Sequence, residues 1–224
     1  MSTHPVLLIT GTDTGVGKTF VAAGLARALI EAGIRVRAVK PVETGCGESP
    51  SPLEDGRILA EATGQPCPRA ALQRLRAALA PPDAADLEGV RLSMEPWCEQ
   101  ILALSRDAEL TLVEGAGGLL SPLTWTETAL DLARRCQARV LIVAANRLGA
   151  LNHTLLTLGV LAQAGLETVG VVFNQPALPD GATPRNPAAL RKFTGLSRVM
   201  TLERFESAGE AVAALREVIP WIDR

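Results

Sequence analysis

A nine-residue stretch, "GTDTGVGKT" at residues 11–19, lies between the apolar run "PVLLIT" and the helix-patterned "FVAAGLARALIEAG". Gly15 and Gly17 permit a backbone that points successive N–H groups at an anion, and a helix beginning near Lys18 adds the positive end of its dipole. A strand that enters such a turn and leaves as a helix is the opening of a parallel β-α unit. The standard phosphate-loop pattern, G-x-x-x-x-G-K-[ST], requires glycine where Thr12 stands; the glycine is one residue earlier, at Gly11. The physical parts remain, since Lys18 can reach β- and γ-phosphate oxygens and the Thr19 hydroxyl is placed to ligate Mg²⁺.

The alternation continues along the chain. Strand-like runs fall at 6–10, 35–39, 110–113, 140–144 and 168–173, and helix-like stretches at 18–32, 55–63, 97–105, 129–137 and 154–164, with a closing helix at about 207–218. This order predicts an α/β fold: a doubly wound, mainly parallel sheet with helices on both faces, of the P-loop NTPase type. With 47% hydrophobic but only 3% aromatic residues, aliphatic side chains must fill the core, as suits buried parallel strands. Residues 45–53 and 176–187 read as loops rather than linkers, so residues 1–224 are expected to form one domain.

In open α/β sheets ligands bind beyond the carboxyl ends of the strands, which singles out residues 11–19, 40–44, 114–118, 145–152 and 174–175. Lys40 offers a second cation for a transferred phosphoryl group, and Thr44 a hydrogen bond to a small substrate. Glu114, followed by glycines at 115, 117 and 118, has the chemistry of a Mg²⁺ ligand; unpaired beside an apolar strand it would be a costly charge. Asp55 is either a second such ligand or an acid favoured by a helix N-terminus. Asn152 and His153 read as a helix cap, and Asn174 as a base contact or a turn cap.

The formal net charge of −2 leaves no basic surplus for nucleic acid, and Arg69, Arg74 and Arg76 read as a solvated helix face. Cys46, Cys67, Cys98 and Cys136 form no C-x-x-C pair and read as reduced thiols. No signal peptide is apparent and no apolar run approaches the roughly 20 residues of a membrane span. The expected location is the cytoplasm.

In sequence order, "GTDTGVGKT", "KPVETG", "VEGAGGLLSPL", "LGALNHTLLT" and "GVVFNQ" resemble the dethiobiotin synthetases, the ATP-dependent ring-closing enzymes of biotin synthesis. The likeness covers most of the chain and is weakest at 65–95 and after 193. The extra residue before Gly17-Lys18-Thr19 is that family's form of the loop. The resemblance implies a homodimer that uses ATP, Mg²⁺ and CO₂ to turn 7,8-diaminononanoate into dethiobiotin through a carbamate and a carbamic-phosphoric anhydride. It implies catalytic roles for Lys18 and Lys40, and Mg²⁺ held by Thr19, Asp55 and Glu114. It implies ATP contacts from Gly15, Val16, Gly17, Lys18, Thr19 and Phe20, and from Glu114, Gly115, Ala116 and Gly117. Asn174 and Gln175 would lie near the adenine, with Glu203, Arg204, Phe205 and Glu210 as the equivalents of a C-terminal adenine turn. Thr14 and Thr44 would position carbamate and amine, and Leu151 and Asn152 would meet the substrate carboxylate from the partner subunit.

Two departures stand out. Pro82 occupies a position where the family usually has histidine, and Glu203 one where it has proline. Two other classes share the loop. Cobyric-acid-type synthetases add a glutaminase domain, for which this chain ends too soon. Partition and division-site ATPases carry a second lysine inside the loop, where this chain has Thr12-Asp13-Thr14.

Overall fold

The computed structural model describes residues 6–222. Six strands form one parallel sheet: β1 (Val6–Gly11), β2 (Val36–Val39), β5 (Leu110–Gly118), β6 (Arg139–Ala145), β7 (Thr168–Asn174) and β8 (Val199–Leu202). They lie in the order β2-β5-β1-β6-β7-β8. The chain winds outward from β1 to one side and later to the other, so a crevice opens at the carboxyl end of β1, where strand order reverses. A two-stranded parallel ladder, β3 (Val42–Glu43) with β4 (Gln73–Arg74), lies beyond β2 in sequence.

Side chains alternate across the strands and divide the core in two. Leu8, Val113, Ile142 and Phe173 belong to one buried cluster, while Leu7, Ile9, Leu112 and Val143 belong to the other. Helix α1 (Lys18–Glu31) joins the second through Val21, Leu25 and Leu29. Helices α4 (Met94–Leu104) and α5 (Ala129–Arg135) join the first through Trp97, Ile101 and Leu132. The remaining helices are α2 (Asp55–Thr63), α3 (Pro81–Glu88), α6 (Ala150–Gln163), α7 (Asn186–Thr194), α8 (Val212–Leu215) and α9 (Ile219–Ile222). Helices thus cover both faces of a parallel sheet, as expected, and α2 starts and ends where the sequence placed it.

Several elements differ from expectation. The strand expected at 110–113 continues to Gly118, so Glu114 lies inside β5, opposite Ile9, just before a register shift that pairs Gly11 with Gly118. Strand β8 and helices α3 and α7 were not among the expected elements, and α7 starts inside the 176–187 stretch read as loop. Both helices carry proline in the first turn, where its missing N–H is harmless. Helix α6 begins at Ala150 behind Gly149, so Asn152 and His153 sit in its first turn and do not cap it. Arg69, Arg74 and Arg76 lie on no helix; Arg74 is in β4 and is ion-paired. The closing helix is broken: residues 207–211 form turns, and a 3₁₀ turn (Arg216–Val218) separates α8 from α9. All four cysteines are free thiols. Among the described residues no helix is long and apolar enough to cross a membrane.

Candidate active site

A cavity of about 1040 Å³ opens at the carboxyl edge of β1, β2 and β5. The glycine-rich loop forms its floor. Gly11 ends β1, where a Cβ would come within 2.6 Å of the Asp13 carbonyl oxygen and 3.1 Å of that of Gly117. The loop folds back over this position, which explains why glycine is required one residue earlier than the standard pattern places it. Gly17 has φ 93°, and a Cβ there would lie 2.1 Å from Asn174 Nδ2. That amide donates instead to the Val16 carbonyl at 3.0 Å, joining the end of β7 to the loop.

Five side chains converge on one point. Lys40, just past β2, places its Nζ 2.6 Å from Glu114 Oε1 and 2.7 Å from Asp55 Oδ2. Thr19, in the first turn of α1, has Oγ1 2.7 Å from Asp55 Oδ1 and 2.8 Å from Glu114 Oε1. Lys18 Nζ makes a longer bond, 3.2 Å, to the Asp13 carbonyl. Burial alone would push the Lys40 ammonium down, but Glu114 and Asp55 beside it prevail and hold it above its ordinary value. Lys18 moves the other way, lowered by burial and by the neighbouring Lys40 charge. Burial also opposes ionisation of Asp55, yet Lys40 and the Thr19 hydroxyl keep it below the usual carboxylate range. Glu114, wholly buried, is pushed up by burial despite Lys40, with Asp55 adding repulsion. Both partners of the Lys40–Glu114 pair therefore rise; the cation is favoured by two carboxylates, whereas the carboxylate shares one ammonium with a like charge.

The hydrogen-bond inventory fits a metal ion. The Thr19 hydroxyl has one proton but faces two carboxylate oxygens at bonding distance, and Glu114 Oε2 is buried without a hydrogen-bond partner among the described residues. Hard oxygen donors in excess of the available protons are what Mg²⁺ binds. Thr19, Asp55 and Glu114 would hold it.

Among the other residues singled out from sequence, Thr14, Gly15, Phe20, Thr44, Ala116 and Gly117 line the cavity, while Gly115 accepts a 3.4 Å bond from Lys40. Gln175 is anchored by its N–H to the Leu202 carbonyl. Glu203, Arg204, Phe205 and Glu210 are not in the wall; the neighbouring Glu206, Ser207 and Ala208 are. Leu151 and Asn152 are also outside it, on the first turn of α6, beside a second groove of about 460 Å³ that includes Leu120, His153 and Leu156. Pro82 faces a different hollow, with Asp86 and Trp125, while Pro81 lines the main cavity. An apolar wall of Val42, Ile58, Ala78, Leu79 and Pro122 completes it.

Besides Glu206, one carboxylate in the wall, Glu43, was not singled out from sequence. Glu43, in β3, accepts the N–H groups of Asp55 at 2.6 Å and Gly56 at 3.0 Å. Its position inside "KPVETG" was visible, but its partners are backbone atoms twelve residues on, which no residue pattern reveals. Glu43, Cys46 and Glu54 bring ligand atoms within 4.8 Å of one another. Both Glu43 oxygens are nevertheless committed to N–H groups, and Glu54 is committed to Arg74 at 2.6 and 2.7 Å.

The chain is similar to known proteins over almost its whole length. A family described as an AAA domain matches residues 6–211. The ATP-dependent dethiobiotin synthetase BioD of Aquifex aeolicus (strain VF5) is 41% identical over 190 residues, 85% of each chain. That of Anaeromyxobacter sp. (strain Fw109-5) is 39% identical over 212 residues, covering 94% of this chain and 95% of the relative. Among solved structures, the septum site-determining protein MinD with Mg-ADP from Pyrococcus horikoshii OT3 aligns with TM-score 0.62 at 18% identity, over 98% of this chain and 96% of that one. Cobyrinic acid a,c-diamide synthase from Mycobacterium smegmatis, with bound ADP and magnesium, gives 0.60 at 17% identity, over 96% and 91%. At these identities the structural likeness speaks to the fold, a P-loop α/β sheet.

Proposed function

The chain belongs to the family of ATP-dependent dethiobiotin synthetases, and from that premise we propose that it closes 7,8-diaminononanoate and CO₂ into dethiobiotin at the cavity beside Lys40. It is an ATP-dependent ligase of biotin synthesis. The observation that carries the finer reading is the convergence of two lysines, Thr19, Asp55 and Glu114 beside a glycine-rich anion loop.

In this reading one amine of the diamine takes up CO₂ and loses a proton to become a carbamate. A carbamate oxygen attacks the γ-phosphorus, the bond to ADP breaks, and a carbamic-phosphoric anhydride results. The second amine then attacks the carbamate carbon, the carbon–oxygen bond to phosphate breaks, and the ureido ring closes with loss of a proton. A carbamate is a weak nucleophile and meets a tetra-anionic nucleotide, so orientation and charge neutralisation are the enzyme's main tasks. Lys18 exchanges its long bond to the loop carbonyl for phosphate oxygens, and Lys40 sits where the transferred group would pass. Thr14 and Thr44 face the same space and orient the carbamate and the amine. Val42, Ala78, Leu79 and Pro122 offer the methylene chain an apolar wall. Mg²⁺ bound by Thr19, Asp55 and Glu114 would neutralise charge on the β- and γ-phosphates.

The adenine would lie toward Asn174, Gln175 and the 203–210 segment. The chain acts as one P-loop domain, in the cytoplasm and without nucleic-acid or membrane partners, and pairs as a homodimer. Pairing is supported by the outer face of α6 and its flank, where Leu156, which lines the groove next to Leu151 and Asn152, is 63% exposed and Leu148, just before the helix, 82%. Leu156→Asp is expected to shift the protein toward monomer in light scattering and to raise the KM for the diamine.

The deciding test is ADP release with MgATP and bicarbonate, with and without 7,8-diaminononanoate, and mass spectrometry of the product. Diamine-dependent ADP together with dethiobiotin is the expected result. ATP turnover indifferent to the diamine would sink the reading.

A further inference from the structure

We propose that Glu43 is a positioning residue for the metal-holding cluster: it clamps the backbone of Asp55 and Gly56 so that the Asp55 carboxylate faces Thr19 and Glu114. The proposal rests on the reading of Thr19, Asp55 and Glu114 as the Mg²⁺-holding set.

The first N–H groups of a helix have no partner within it. In α2 the capping residue, Glu54, makes no side-chain cap bond, because its carboxylate is held by Arg74. Glu43 takes over from twelve residues upstream, one oxygen on the N–H of Asp55 and the other on that of Gly56. Its charge also suits the positive end of the helix dipole.

The clamp is closed on itself. Lys40 and Glu43 stand on one short segment, three residues apart, and grip Asp55 from two sides. Lys40 holds the carboxylate at 2.7 Å, and Glu43 holds the backbone N–H at 2.6 Å. The segment is itself fixed, since β3 pairs with β4 and the Glu43 carbonyl accepts the Leu75 N–H at 2.9 Å. Helix α2 also packs directly on backbone: a Cβ on Gly56 would lie 2.2 Å from the Ala71 nitrogen. Its first turn therefore rests on the Ala71 backbone at Gly56 and on Glu43 through its N–H groups. Freeing the Glu43 side would let the turn, and the carboxylate it carries, drift from the other two ligands. Groups that orient a metal ligand are typically worth about 10–100-fold in metal affinity.

Binding of Mn²⁺, a paramagnetic stand-in for Mg²⁺, to the full-length protein with ADP tests this by electron paramagnetic resonance. Glu43→Ala is expected to weaken Mn²⁺ binding about tenfold. Glu43→Gln, which keeps one acceptor, should fall between it and the wild type. The kcat of both variants should recover at raised Mg²⁺, which a collapsed site would not allow. Wild-type Mn²⁺ affinity in Glu43→Ala would overturn the proposal, even with a lowered Tm, because a cap that only stabilises the fold moves Tm and leaves metal affinity alone. If Glu43→Ala does not fold, Glu43→Gln carries the test, and unchanged Mn²⁺ affinity there overturns it equally. Asp55→Asn is the control for the underlying reading. Unchanged Mn²⁺ binding in Asp55→Asn would remove the metal-holding set and the proposal with it. Loss in Asp55→Asn with none in the Glu43 variants would refute the proposal alone.

Discussion

The two sides of the cavity are built differently. On the side of β2 and β5, Lys40 and Glu114 are buried and tied to Thr19 and Asp55 by bonds that span 15 to 95 residues of sequence. On the other side, Glu206 and Ser207 are exposed, and among the described residues their bonds reach only as far as Glu210, at 3.1 to 3.4 Å. A side chain at the end of a central strand inherits the rigidity of the sheet. One in a surface turn is held by its neighbours alone. In the reading proposed above, the rigid side carries the reacting phosphoryl group and the looser side the adenine, whose position matters less to the chemistry.

This contrast can be broken by substitution. Phe173→Ala, wholly buried within β7, should destabilise by about 3–5 kcal/mol in a denaturant melt and loosen the sheet that both walls are built on. Lys40→Ala should lower diamine-dependent ADP formation about 10²–10³-fold in steady-state kinetics. Next comes the Glu54–Arg74 pair that braces α2 and the 45–53 loop. Arg74 and its hydrogen bonds hold the Glu54 carboxyl below its ordinary value. A depressed folded value means that the contribution is complete above roughly pH 4.3 and fades as pH falls through the folded value. Glu54→Gln should therefore lose about 1–3 kcal/mol at pH 7, and the gap from wild type should close on acidification in melts taken across pH. The smallest effect belongs to Ser207→Ala, within about 0.5 kcal/mol of wild-type stability, with a modest rise in the KM for ATP and an unchanged kcat. A kcat loss in Ser207→Ala as large as that in Lys40→Ala would erase the distinction between the two walls.

Legibility in sequence follows the same division. Buried parallel strands are continuous apolar runs, so five of the six were visible; β8, "VMTL", is short and follows an irregular stretch. Helix α7 was hidden because it starts, with Pro187, inside the stretch read as loop, and α3, which opens on Pro81 and Pro82, was not among the expected helices. The phosphate loop was legible because its chemistry is local, as was Asp55 at its helix start. Glu43 was not, because what it does depends on a backbone it meets only after folding. Within the 203–210 segment the cavity is lined by Glu206, Ser207 and Ala208, a detail the sequence did not show, since turns fixed by local bonds leave no periodic trace.

The sheet order also bears on how the molecule is made. Strand β1, the first to be synthesised, is central: it pairs with β5, Leu7 opposite Leu112, and with β6, Leu7 opposite Arg139. Neither edge of this wholly buried strand can be covered until more than half of the chain exists. Pairing over such separations makes for slow folding and leaves an apolar strand exposed in the interval. Nascent chains stalled before β5 should therefore be prone to aggregate, whereas those extending past β6 have both partners for the strand that leads into the phosphate loop.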